Sequence, residues 1–232
     1  MSPLRSLPGR PAYPLIETEY EHQLEMVRPS TARVEVPPVP EGYLLRQFRT
    51  GDERRYDDLF HLAFADEGRF PQIIERVLAG GFFVVNHLAS GELVSSCQAW
   101  RGSIMPRHPD AGHMGWLVTD PSHTRKGLGT IVAASATNRL AAEGYPRPCL
   151  GTEDFRLAAI SIYLKLGWRP YLYREDMVPR WRSIFARLGR EFDPSLTCLG
   201  WPTTRSREDC DEHKIRWTHH SGEGVGDACD HA

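Results

Sequence analysis

Apolar positions along this chain alternate between short strand-like runs and stripes with helical spacing. The run Tyr43-Leu44-Leu45-Arg46-Gln47-Phe48 predicts a first strand. Thr50 and Glu53 come next at capping-box spacing, and Tyr56, Leu59, Phe60 and Ala63 then form one stripe of a helix. A second short helix is expected from Pro71 through Ile73, Ile74, Val77 and Leu78, stopping at Gly80-Gly81. Residues 82–86 and 93–100 read as strands joined by a glycine-containing turn, and 113–119 continues the meander. Leu128, Val132, Ala136 and Leu140 recur at every fourth residue, which predicts a helix ending before Gly144. A short strand at 149–152, a helix at 155–166 and a strand at 168–173 complete a β-α-α-β-β-β-α-β-α-β order.

The flanks read differently. Residues 1–41 hold many prolines, including Pro37-Pro38-Val39-Pro40, and are expected to form an arm with a short helix around residues 20–26. The folded domain is then 42–176. After Pro179, the spacing of Trp181, Ile184, Phe185 and Leu188 predicts an amphipathic helical extension over 177–202. Residues 203–232 are polar and predicted to be a disordered tail. That tail carries Cys210, His213, His219, His220, Cys229 and His231, but their spacings match no paired zinc-ligand pattern, so no metal site is expected.

Composition narrows the class. A hydrophobic content of 41% with 25% charged residues suits a soluble protein with one sizeable core. A formal net charge of −2 supplies no basic field for a polynucleotide, so no nucleic-acid partner is expected. The absence of a long apolar run argues against a membrane partner and for a cytoplasmic location. Five scattered cysteines, an odd number, fit reduced thiols rather than a disulfide framework.

The richest chemistry lies between the 113–119 strand and the next helix, in Thr119-Asp120-Pro121-Ser122-His123-Thr124-Arg125-Lys126-Gly127-Leu128-Gly129-Thr130. Gly127 and Gly129 let the backbone approach a ligand without Cβ obstruction, and the helix beginning near Leu128 offers unpaired N–H groups at its positive end. Arg125 and Lys126 add cationic side chains at the same place. Together they read as a cradle for a diphosphate.

About thirty residues on stands Arg156-Leu157-Ala158-Ala159-Ile160-Ser161-Ile162-Tyr163-Leu164-Lys165-Leu166-Gly167-Trp168. The two segments together resemble the GCN5-related N-acetyltransferase (GNAT) family over roughly residues 42–175. In that family the first segment (Q/R-x-x-G-x-G/A) binds the pyrophosphate of acetyl-CoA, and the second (N-x-x-A-x-x-x-Y-x-x-x-G-F) is a helix with a tyrosine near the CoA sulfur. Gly127 and Gly129 match the small positions of the first, and Ala159, Tyr163, Gly167 and Trp168 match the second. Thr124 departs from the usual Gln or Arg, and Arg156 from the usual Asn. The resemblance implies an α+β fold, a GNAT-like mixed, mainly antiparallel central sheet flanked by helices in three αβα layers. It also implies acetyl-CoA as co-substrate, held by backbone groups of Leu117 and Val118 and by Thr124, Arg125, Lys126, Gly127, Leu128, Gly129, Thr130 and Arg156.

Acetyl transfer needs a held thioester, a deprotonated amine and a proton for the departing thiolate. Tyr163 is the candidate acid for that thiolate. His113 and Glu153 are alternative bases, and direct attack without a dedicated base stays open. Asp66 and Glu67, in the loop expected between the first two helices, are placed to attract a cationic amine. Cys149 has no obvious neighbouring histidine in the sequence and is expected to be a buried structural thiol rather than a nucleophile. The function this implies is N-acetyl transfer to a small-molecule or peptide primary amine through a ternary complex, with a homodimer compatible. The alternative is an acyl-CoA-binding sensor of the same fold.

Overall fold

A computed structural model describes residues 20–64 and 74–199. Its frame is an eight-stranded sheet built from β1 (Leu24–Val27), β2 (Tyr43–Gln47), β3 (Val77–His87), β4 (Leu93–Trp100), β5 (His113–Thr119), β6 (Cys149–Thr152), β7 (Arg169–Leu172) and β8 (Cys198–Leu199). The spatial order is β2-β3-β4-β5-β6-β1-β7-β8. All neighbours run antiparallel except β5 with β6 and β7 with β8. The described helices are α1 (Glu53–Phe60), α2 (Leu128–Ala142), α3 (Leu157–Lys165) and α4 (Met177–Arg187). The α+β class and the mixed, mainly antiparallel sheet expected from the sequence are both present.

Strand alternation divides the core between the two faces of the sheet. On one face Tyr56, Leu59 and Phe60 of α1 pack against Phe82, Val84, Leu93 and Val118. On the other, Ile131, Val132, Ala134 and Ala136 of α2 meet Val85, Val94, Cys97 and Ala99, and Ile160, Tyr163 and Trp181 extend the same cluster. Ala133, Ala134, Ala136 and Ser135 of α2 are buried along with its larger residues, so this helix lies close to the sheet. Trp181, Ile184 and Phe185 of α4 join the same core, so the extension packs on its own domain.

The expected helix around residues 20–26 is replaced by β1, a strand between β6 and β7. Leu24 and Met26 face the main core, while Glu25 faces the other side. Glu25 hid this period-two pattern because its carboxylate is buried, where Arg107 Nε at 3.2 Å and His108 Nε2 at 2.9 Å hold it. Four residues without flanking periodicity do not separate strand from helix. The domain therefore uses chain from the arm, and residues 28–42 lead from β1 to the opposite edge at β2. Val34 is tied on the way to Asn138 of α2 through bonds of 2.8 and 2.9 Å.

The helix expected to end at Gly80-Gly81 is also corrected, for Val77 and Leu78 belong to β3. The diglycine is a bulge. Gly80 has a φ of +69°, and a Cβ on Gly81 would lie 2.7 Å from the carbonyl oxygen of Ala99. The part of that expected helix at 71–73 lies outside the described residues. At α1 the cap is Asp52 rather than Thr50, and Glu53 accepts from the amide of Gly51 at 2.7 Å. Asp52 instead receives both guanidinium nitrogens of Arg46, at 2.5 and 2.8 Å, and the amide of Arg49 at 3.0 Å. The 177–202 segment likewise departs from a single helix, since α4 stops at Arg187 and β8 pairs with β7.

Stability should divide between buried and exposed positions of the same residue type. Leu24→Ala should lower unfolding free energy by about 2–5 kcal/mol in urea titration, whereas exposed Leu88→Ala should change it by no more than about 0.5 kcal/mol. Burial raises the carboxyl pKa of Asp52, but the Arg46 and Arg49 bonds outweigh it and leave it below its ordinary value. A depressed carboxyl stabilises above the unfolded-state pKa, and that contribution disappears as pH falls through the folded value. Asp52→Asn should therefore cost about 1–3 kcal/mol at pH 7, with the gap to wild type closing below about pH 4.

Candidate functional site

Between β5 and β6 the sheet parts. The two strands run parallel but share a single register pair, His113 with Cys149, at the start of both. Beyond it no register pair joins their facing edges toward Thr119 and Thr152, while β4 holds the outer edge of β5 and β1 that of β6 over Leu24–Val27. A cleft between the two facing edges results, and it can accept an extended ligand as if it were a further strand.

The wall formed by β5 carries a bulge. Its register against β4 steps from Ser96↔Val118 to Gln98↔Gly115, which leaves an extra residue on β5. Trp116 there adopts a φ of +49°. A left-handed conformation at a bulky residue persists only where its surroundings impose it. Here the Trp116 ring packs edge-on against Phe60 at 4.9 Å and Phe64 at 4.7 Å. The bulge turns the backbone around Trp116 and Leu117 out of the regular ladder, while Val118 returns to the core.

At the open end, Asp120 accepts the amide of Ser122 at 2.8 Å and starts the turn 121–123. Thr124, Arg125, Lys126 and Gly127 are exposed, Leu128 is buried, and Gly129 and Thr130 are half-buried. Arg125 and Gly127 have φ of +61° and +80°, and nothing lies within 4 Å of a Cβ built on Gly127. Alternating left-handed residues ahead of a fifteen-residue helix turn successive N–H groups toward one side, the geometry of an anion nest. Gly129 serves packing as well, since a Cβ there would lie 3.1 Å from Thr119 Oγ1 and 3.2 Å from Ile162 Cδ1. These seven expected loop contacts therefore lie together. The Thr124 hydroxyl itself is engaged with the carbonyl of Pro121 at 3.0 Å.

Arg156 lies apart from that set in its bonding. Its Nε donates to Glu153 Oε2 at 2.5 Å, and its guanidinium sits 4.7 Å over the Phe64 ring. The other oxygen of Glu153 accepts from Gln23, just ahead of β1. Next to it, Asp154 receives the buried Arg180 guanidinium at 2.5 and 3.0 Å, and Arg180 also reaches Asp176 and the carbonyl of His22. Gln23 and Arg180 come from outside the recognisable motifs. The strand pairing of β1 brings Gln23 here and the packing of α4 brings Arg180, and no local pattern could have marked them.

Tyr163 is buried in α3, and burial raises its phenol well above the ordinary value, with Cys97 adding to that and Arg156 opposing it. It is a protonated donor at neutral pH. His113 is buried at the closed end of the cleft, stacked on Trp100 with ring centroids 5.0 Å apart. Burial first, then His108 and Arg76, pushes its pKa down to about 3. The expectation that Cys149 has no histidine beside it is corrected, for His113 Nδ1 lies 3.6 Å from its Sγ. Burial nevertheless raises this thiol to about 12, so the pair stays neutral. Gln98 carries no mark in the sequence motifs: it is fully buried, donates to Tyr56 at 2.8 Å and accepts from Trp100 Nε1 at 2.7 Å. A long polar side chain in a strand of apolar and small residues was its available signal. Asp66, Glu67 and the cysteines and histidines of the tail lie outside the described residues. Among the described residues no helix is long and apolar enough to cross a membrane.

Comparison with known proteins agrees with this geometry. A GCN5-related N-acetyltransferase from Sphaerobacter thermophilus superposes with a TM-score of 0.50 at 17% identity, covering 64% of this chain and 48% of that one. One from Kribbella flavida gives 0.44 at 17% identity, covering 65% and 55%. The glucosamine-6-phosphate N-acetyltransferase of Arabidopsis thaliana gives 0.42 at 18% identity, covering 58% and 94%. The chain thus spans about half the length of the first two. No curated protein matches it. The acetyltransferase (GNAT) family model matches residues 43–168, more than half of the chain, including both parted strands and the glycine loop; the protein belongs to the GNAT family.

Proposed function

We propose that this protein is an acetyl-CoA-dependent N-acetyltransferase that acts on a primary amine by direct attack within a ternary complex. The observation that carries this reading is the parted β5–β6 edge ending at the anion nest before α2. The residues fit the co-substrate at both ends. Open space at Gly127 and the cationic Arg125 and Lys126 suit a pyrophosphate, and freed backbone around Leu117 suits an amide-bearing arm. Acetyl-CoA supplies an activated acyl thioester. In the overall exchange the amine nitrogen forms a bond to the acyl carbon while the carbon–sulfur bond breaks.

Three parts of the chain support that exchange. The Tyr163 phenol, kept protonated by burial, donates its proton to the leaving thiolate. The amine's proton passes to Glu153, directly or through water, and Gln23 and Arg156 fix that carboxylate. An imidazole whose pKa is about 3 holds a proton poorly, so His113 serves as a wall rather than the base. Asp66 and Glu67 attract the cationic acceptor.

Removal of the phenol proton is the direct test. Tyr163→Phe should lower kcat by roughly 100- to 10,000-fold while leaving acetyl-CoA affinity near wild type in calorimetry. A sensor would instead bind acetyl-CoA and show no turnover in the wild type with any amine of a broad acceptor screen. Gly127→Glu places a strained, anionic side chain in the nest and should weaken acetyl-CoA binding by about tenfold or more; unchanged affinity would remove the proposed cradle.

A further inference from the structure

We infer that Arg156 anchors a carboxylate on the acceptor, so that the substrate class is an amino acid whose free carboxylate lies one or two carbons from its amine. This inference rests on the reading above in which Glu153 takes the amine's proton. The two side chains leave the same short stretch of chain, between β6 and α3, and meet through one bond, from Arg156 Nε to Glu153 Oε2 at 2.5 Å. A guanidinium carries five N–H donors, and this one uses only its Nε. Among the described residues Nη1 and Nη2 have no hydrogen-bond partner. Two aromatic rings hold the group all the same, since its central carbon lies 4.7 Å from the centroid of Phe64 and 5.2 Å from that of Phe155. The Arg156 and Glu153 side chains are 26% and 20% exposed, so a ligand from solvent can reach both. A planar fork fixed at one nitrogen, with its other ends open, is preorganised for a planar anion that takes both Nη groups at once.

Position and charge select what can lie there. Behind burial and Cys97, Arg156 and Glu153 are the charges that act on the Tyr163 phenol, the first lowering its pKa and the second raising it, so the ion pair stands near the proposed proton donor. An amine bonded to Glu153 therefore has a fixed positive charge beside it. A chain whose next group is a second cation is repelled by Arg156, whereas a zwitterion lies head to tail along the ion pair, with its ammonium on Glu153 and its carboxylate on Arg156. The spacing agrees. Guanidinium nitrogens are about 2.3 Å apart, which puts the two Nη groups between about 3 and 5 Å from Glu153 Oε2. The nitrogen and carboxylate oxygens of an α-amino acid are about 3–3.5 Å apart, so with a hydrogen bond of about 2.8 Å at each end one small zwitterion spans the two side chains.

Steady-state kinetics of the full chain with acetyl-CoA tests this, with the common amino acids as acceptors, each beside its carboxamide, and polyamines as the cationic comparison. Wild type should acetylate at least one amino acid with a kcat/KM about tenfold or more above that of its carboxamide. The carboxylate makes its own amine harder to deprotonate, so deprotonation alone would give the opposite order. Arg156→Gln should bring the ratio close to one, chiefly by raising the KM of the amino acid, while acetyl-CoA affinity in calorimetry stays near wild type and shows that the variant is folded. Arg156→Lys keeps the charge but loses the fork, and should retain only part of the ratio. Wild type preferring carboxamides or polyamines, or a ratio that survives Arg156→Gln, would overturn the anchor and leave the N-acetyltransferase reading intact. Lost acetyl-CoA affinity in an Arg156→Gln variant that melts like wild type would overturn it too, by returning Arg156 to the co-substrate. No turnover of any amine by a wild type that binds acetyl-CoA would overturn both the anchor and the enzyme reading.

Discussion

A parallel neighbour pair held together at one residue is the constraint from which the remaining features of the site derive. Strand edges normally pair, because an unpaired N–H or C=O away from water costs as much as a lost hydrogen bond. Here β5 and β6 part beyond the His113–Cys149 pair, where the bulge at Trp116 turns β5 out of the regular ladder. β4 grips β5 from Trp100 to Ser95, and β1 grips β6 from Val27 to Leu24. The helices preserve the gap. Gly129 of α2 approaches Thr119 and Ile162 so closely that a Cβ would press on both, and the start of α2 is packed against β5 and α3 there.

Burial then assigns different chemical states to groups within this one cleft. Tyr163 keeps its proton because a phenolate would be desolvated, and His113 refuses one because an imidazolium would be. The same effect leaves Cys149 a thiol despite the histidine next to it. Charged groups sit at the rim instead. Glu153 stands between Gln23 and Arg156 there, and Arg180 ties Asp154 to α4 and to the chain entering β1. The segments flanking the matched family region are therefore part of the site's support. Their removal would disturb the carboxylate at its edge as well as the sheet.

The glycine loop, the tyrosine helix and most strands were legible in the sequence because each is specified by local chemistry. Glycine spacing marks a close backbone approach, four-residue steps mark a buried helix face, and a meander arises from short apolar runs broken by turns. The departures arose where a residue's environment comes from afar. Glu25 disguised a strand because Arg107 and His108 neutralise it from another part of the chain, and Gly80-Gly81 imitated a helix stop because only β4 reveals the bulge.

By itself, then, the sequence determined the α+β class, the family and the glycine loop ahead of α2, all properties carried by residues adjacent in the chain. Tertiary structure alone decided that β1 clamps β6, that Gln23 reaches Glu153, and that His113 is a buried, neutral imidazole beside Cys149 rather than a solvated one. The physical reason is the same in each case. Pairing, desolvation and ion pairing depend on which distant segments meet, and only the folded chain fixes those meetings.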